Sequence, residues 1–211
     1  MHTFNLQTSS DWTLKTTDRV HQLMRLFGLR SARLKHRHTL QDCHLTLGPG
    51  QICCITGASG AGKSTLLNAL YNRVTASQRI RLDDIPIEAD RPVIDCLEGS
   101  LLDAVGTLSK AGLSDVYAML KSPGQLSAGQ QWRYRLAKAL QSGRQWIFVD
   151  EFSASLDRIT ACVIAHHLRK IARRNKTIFI LASCHEDFLT DLQPDVVIVK
   201  YLNAKTNVIY R

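Results

Sequence analysis

The chain has 211 residues, of which 45% are apolar and 21% charged, the usage of an ordinary globular domain with enough length to bury a core without disulfide or metal staples. No apolar run approaches the roughly 18 residues of a membrane-spanning helix, and the polar start of the chain lacks the apolar stretch of a secretory leader. The formal net charge of +9 favours contact with an anion, whether nucleotide, nucleic acid or lipid surface, and is equally compatible with a basic protein that has no such partner.

Residues 1–33 read as an extension. Within it, 18–29 reads as a short helix in which Val20, Leu23, Met24 and Phe27 recur at helical spacing, Asp18 caps and Gly28 closes. Such a helix either docks on its own domain or, flanked by Arg19, Arg25 and Arg30, lies on a membrane or a partner. From residue 34 onward strands alternate with helices. Strands are expected at 51–56, 91–96, 145–150, 177–182, 196–200 and 207–210. Helices are expected at 64–73, 100–109, 114–121, 128–141 and 160–174. That alternation argues for an α/β fold with a mostly parallel sheet covered on both faces. The six cysteines show neither a Cys-x-x-Cys pair nor zinc spacing and read as buried, reduced thiols of a cytoplasmic protein.

Gly57-Ala58-Ser59-Gly60-Ala61-Gly62-Lys63-Ser64-Thr65 fits the phosphate-loop pattern G-x-x-x-x-G-K-[ST]. Its glycines let the backbone curl so that successive N–H groups, together with the start of the next helix, face phosphate oxygens. Lys63 supplies charge to the β- and γ-phosphates, Ser64 a hydroxyl for Mg²⁺, and Thr65 a contact to the α-phosphate. Trp146-Ile147-Phe148-Val149-Asp150-Glu151 is an apolar strand ending in two carboxylates. Beside a phosphate loop, Asp150 holds the metal and Glu151 activates water as a general base.

Gln125-Leu126-Ser127-Ala128-Gly129-Gln130-Gln131 stands at the start of the 128–141 helix. Here the chain resembles the ABC-type ATPases, whose signature reads Leu-Ser-Gly-Gly-Gln, with Ala128 replacing the first glycine. Ser155-Leu156-Asp157 resembles the family's loop after the acids, and His185 its switch histidine. The resemblance covers about 40–200 and implies a phosphate-loop NTPase core with a mostly parallel sheet covered by helices, a small antiparallel β region and a helical subdomain, here shortened to about 97–127 of a 34–211 domain. It implies that ATP and Mg²⁺ are bound between two chains arranged head to tail. Lys63, Ser64, Asp150, Glu151 and His185 then act from one chain, and Ser127, Ala128, Gly129 and Gln130 from the other. Ala128 is expected to be harmless, because a helix start needs only negative φ.

The sequence departs from that pattern in four places. The span from Lys63 to Ser127 is short for a transporter subunit. No glutamine stands where the family senses Mg²⁺; residues 93–99 occupy the expected place, so either Asp95 or Glu98 substitutes or the sensor is absent. The adenine-stacking aromatic is ambiguous among Phe27, His36 and His38. Phe152 stands where proline is common. These departures favour an ATPase coupled to a soluble protein or nucleic acid, in line with a further resemblance to ABC-type modules found fused to acetyltransferase-like domains. The alternatives are a membrane-protein partner, as in a transporter, or a nucleotide-sensing module with negligible turnover. A phosphate-loop kinase ranks last, since it leaves residues 126–130 unexplained.

Overall fold

A computed structural model describes residues 1–8, 15–29, 41–202 and 205–211. Its main sheet has the strand order β4-β5-β6-β3-β7-β8. These strands are β3 (Ile52–Gly57), β4 (Arg79–Arg81), β5 (Trp146–Val149), β6 (Ile178–Ser183), β7 (Val196–Lys200) and β8 (Thr206–Tyr210). All neighbours pair parallel except β8, which runs antiparallel to β7. Two further strands, β1 (His2–Thr8) and β2 (Gln41–Leu47), form an antiparallel pair. Segment 1–33 thus contributes a strand, which sequence reading did not anticipate.

Each central strand alternates its side chains between two cores. On one face Cys53, Ile55, Phe148, Ile180 and Ile198 meet helix α2 (Lys63–Arg73) and Phe4, Leu6, Leu45 and Leu47 of the β1–β2 pair. On the other, Ile52, Cys54, Ile147, Val149, Phe179 and Leu181 meet α3 (Leu101–Lys110), α4 (Val116–Leu120), α5 (Ala128–Gln141), α6 (Arg158–Asn175) and α7 (Leu189–Leu192). This two-sided burial explains why β3, β5 and β6 read as continuous apolar runs.

The expected 128–141 and 196–200 elements form with those bounds, and the other anticipated helices and strands form within a few residues of theirs, with one exception. Residues 91–96 are not a strand: Val93–Cys96 is a 3₁₀ turn after Pro92, tied to the helical region by Val93 N–H donating to Lys121 O at 2.9 Å. The strand beside β5 is instead the three-residue β4. Helix α1 (Asp18–Leu26) forms, with Gly28 left-handed behind it at φ 62° and Leu29 N–H donating to Met24 O. Only Met24 of its apolar stripe is buried; Leu23, Leu26 and Phe27 are exposed.

Four of the six cysteines, Cys43, Cys53, Cys54 and Cys96, are buried free thiols, while Cys162 is half-buried and Cys184 exposed. Burial pushes the Cys54 thiol up to about 12, so it stays protonated. Two cations of the basic 169–176 run serve the fold. Arg169 and Arg173 grip the Asp195 carboxylate at 2.8 and 2.6 Å, and Asp195 also accepts from Ile52 N–H at the base of β3. No described helix is long and apolar enough to cross a membrane.

Candidate functional site

The parallel order β5-β6-β3 brings three loops to one edge of the sheet. The loop after β3 carries Gly57 to Gly62, the loop after β5 carries Asp150 and Glu151, and the loop after β6 carries His185. The carboxyl ends of parallel strands are where open α/β sheets place their ligands.

Gly57 leaves β3 at φ 139°, with its Cα so close to Lys200 O that a Cβ would stand 2.2 Å from that oxygen. Gly60 and Gly62 are also left-handed. Gly62 caps α2 without a side-chain hydrogen bond, so the first-turn N–H groups of α2 are available to an anion. Lys63 is buried, and its ammonium donates to Gly57 O and Ala58 O, each at 2.9 Å. Ser59 and Gly60 are exposed at the loop's tip, Ala61 is buried beneath it, and Ser64 and Thr65 are exposed on the first turn of α2. Glycines, inward N–H groups and a lysine suit a polyphosphate; the Ser64 hydroxyl and Asp150 carboxylate suit a hard divalent cation.

The acid pair sits on strained backbone. Glu151 has φ 48° and Ser153 φ 73°, conformations that cost a non-glycine residue of order 1–3 kcal/mol each. Phe152 between them holds the loop in place. Its N–H donates to Ala182 O at 2.8 Å, and Ser183 Oγ donates to its carbonyl at 2.9 Å. Its buried ring meets Trp132 of α5 edge-on at 5.6 Å and Phe188 at 4.6 Å. Proline could not supply that N–H, which accounts physically for Phe152. His185 N–H donates to the same Ser183 Oγ at 3.0 Å, and Glu186 accepts from Thr56 Oγ1 at 2.7 Å, linking the His185 loop to the foot of the phosphate loop.

Ser127 caps α5 in a closed capping box: its Oγ accepts from Gln130 N–H, and its own N–H donates to Gln130 Oε1. Ala128 opens the helix without positive φ. A Cβ on Gly129 would approach Ser155 O to 3.2 Å, so this glycine sets how closely α5 meets the 155–157 segment. Asp157 caps α6 through Thr160 N–H at 2.9 Å, and that bonding holds its carboxyl below the usual range.

Asp95 and Glu98 do not join this edge. Glu98 is tied by both backbone groups to Gln141, at the far end of α5 from Ser127. The carboxylate that adjoins Asp150 is Asp83. Arg81 pairs with Phe148, so Asp83 and Asp150 each stand two residues beyond that pair. Partial burial pushes the Asp83 carboxyl up, Arg135 opposes, and the nearby Asp150 charge adds to the rise. Two acids following Arg79-Ile80-Arg81 were the available signal, lost because so short a strand has no readable period. Among the adenine candidates, Phe27 is exposed just after α1, while His36 and His38 lie outside the described residues.

The family profile described as "ABC transporter" matches residues 40–100. The macrolide export ATP-binding/permease protein MacB of Rhodopseudomonas palustris is 32% identical over 177 residues, covering 67% of this chain and 27% of that protein. The taurine import ATP-binding protein TauB of Pseudomonas fluorescens is 32% identical over 170 residues, covering 67% of this chain and 64% of that protein. The chain therefore spans about a quarter of MacB's length. Among solved structures, cbiO1 from Clostridium perfringens, part of the ABC transporter complex cbiONQ, superposes with a TM-score of 0.63 at 18% identity, covering 81% of each chain. A dimeric ATP-binding cassette in a post-hydrolysis state with ADP and Pi superposes with a TM-score of 0.62 at 20% identity, covering 82% of this chain and 90% of that one.

Proposed function

This chain being an ATP-binding domain of the ABC transporter type, we propose that it works on the cytoplasmic side, binds and hydrolyses Mg·ATP between two copies arranged head to tail, and passes the resulting closure to a membrane partner. The observation that carries this reading is the convergence of the β3, β5 and β6 ends, which puts the phosphate loop, the acid pair and His185 on one edge. Residues 57–65 bind the phosphates, with Lys63 leaving its two loop carbonyls for phosphate oxygens. Ser64 and Asp150 hold Mg²⁺, which when bound neutralises charge on the β- and γ-phosphates. Glu151 orients and deprotonates the attacking water, and His185 steadies Glu151 and the γ-phosphate. The second copy contributes Ser127 and the first-turn N–H groups of Ala128, Gly129 and Gln130. Because Ser127 Oγ accepts within its capping box, its O–H hydrogen remains free to donate to an anion.

The membrane partner is favoured by the names of the relatives and by the surface of the short helical segment, where Leu101, Leu102, Val116, Tyr117 and Leu120 are all exposed. A second reading, a soluble protein or nucleic-acid partner, draws on the groove lined by Lys110, His167, Lys170 and Arg174. The wild-type chain is expected to release phosphate from Mg·ATP over many turnovers, and Lys63→Ala to release none above background. Purification of a tagged, turnover-blocked chain with Mg·ATP is expected to bring an integral membrane protein. Recovery of only soluble protein or nucleic acid would favour the second reading, and equal release by both forms would defeat the ATPase assignment.

In this reading Asp83, in the 3₁₀ turn that follows β4 and near the Asp150 charge, takes the place of the missing sensor glutamine and would face the metal. Asp83→Asn should raise the Mg²⁺ concentration needed for half-maximal phosphate release by several-fold, since a charged ligand binds a hard cation better than an amide. An unchanged Mg²⁺ profile would show that Asp83 has no part in the metal site.

A further inference from the structure

Lys200 closes β7 with its side chain on the face of Val196 and Ile198, the side covered by α2. It is only 1% exposed. Its ammonium donates to the neutral Thr206 Oγ1 at 3.1 Å, and no carboxylate among the described residues pairs with it. Its Cε lies 3.9 Å from where a Cβ on Gly62 would stand, and its carbonyl presses on Gly57. The side chain thus lies directly behind both ends of the phosphate loop.

A cation is costly in that position. Burial drives the Lys200 ammonium toward its neutral form, and only a thiolate at the neighbouring Cys43 would offset this. Burial also raises the Cys43 pKa, so its thiol carries no compensating charge at neutral pH. The start of α2 adds the positive end of a helix dipole. A methionine would fill the same space among the apolar neighbours without these penalties. An anion on the other side of the loop would convert the penalty into attraction, because a charge in a poorly polarisable setting acts over several ångströms.

We propose that Lys200 is a second cation of the phosphate site, a positioning residue that acts through the loop backbone on the nucleotide's phosphates. The inference rests on the assignment of residues 57–65 as the nucleotide site. Lys63 reaches the phosphates from the concave side, while Lys200 biases the loop and its charge from behind. Its contribution therefore grows with the number of phosphate charges and is absent for a ligand that has none.

The test is calorimetric titration of wild type and Lys200→Met with ATP, ADP and AMP, with melting curves for both proteins with and without nucleotide. Lys200→Met should weaken ATP about tenfold, the effect of one charge acting across roughly 10 Å of protein, ADP less, and AMP least. The nucleotide-free variant should melt no lower than wild type, while its rise in Tm on adding Mg·ATP shrinks. Lys200→Arg, which keeps the charge, should retain the graded preference. An equal loss for all three nucleotides, or a lower nucleotide-free Tm with unchanged affinities, would overturn the inference in favour of a packing role. If wild type itself binds none of them, the nucleotide-site assignment fails instead.

Discussion

Glu151→Gln is expected to bind Mg·ATP as tightly as wild type, to hold the two-chain state, and to release phosphate about 10²–10⁴-fold more slowly, the usual contribution of a positioned general base. The substitution is close to isosteric at an exposed side chain. Its hydrogen bonds run through the backbone, with Glu151 N–H donating to Asp150 Oδ1 and its carbonyl accepting from Ala154 N–H, each at 3.0 Å, and an amide side chain leaves both intact. The neighbouring Phe152 anchors keep the loop in place independently of residue 151. The expected loss is therefore confined to the chemical step. Equilibrium binding, sedimentation with Mg·ATP and single-turnover phosphate release separate the three quantities. Release at the wild-type rate would remove Glu151 from the role of base.

Gly57→Ala should be the most damaging single methyl group in the phosphate loop. The added Cβ would stand 2.2 Å from Lys200 O at a backbone φ of 139°. Neither group can yield cheaply, because Gly57 and Lys200 are paired neighbours in the β3–β7 ladder. A cost of about 3–5 kcal/mol is expected, in the range of severe strain and overpacking, which corresponds to a fall in Tm of about 10 °C for a chain of this size. Gly60→Ala is the control. It is also left-handed, at φ 78°, but nothing lies within 4 Å of its Cβ position, so it should cost only about 1 kcal/mol. Thermal melts of the pair in the absence of nucleotide distinguish crowding against β7 from left-handed strain alone. Equal stabilities would show that the β3–β7 contact imposes no constraint.

The residues that make up the site edge were legible in the sequence because their chemistry is local. A phosphate loop, an acid pair and a helix cap each sit within a few consecutive residues, and apolar strands such as 146–149 announce themselves by composition. What escaped depends on partners far apart in the chain. Phe4 and Leu6 alternate with polar neighbours, but β1 becomes visible only once Cys43, Leu45 and Leu47 lie opposite. β4 has one apolar side chain between two arginines, and those arginines stack on Tyr71, a contact that no periodicity encodes. The apolar Val93-Ile94 pair looked like a strand, yet Pro92 and the Lys121 carbonyl turn it into a tight coil. That exchange moved the acid beside Asp150 from the 93–99 segment to Asp83. Lys200 had no sequence signal at all, since a lysine at a strand end reads as solvent-facing.

The Trp132–Phe152–Phe188 cluster fixes how force can travel through the domain. One ring from the acid loop is clasped by a ring from α5 and another from the segment after His185. Around them the packing is dense, and Phe152 itself is fully buried. Interiors of that density respond to a push by moving together. Three motifs read separately along the sequence are therefore one mechanical part, like spokes fixed to one hub. A displacement delivered to the helical segment through α5 would arrive at the acids and at His185 together.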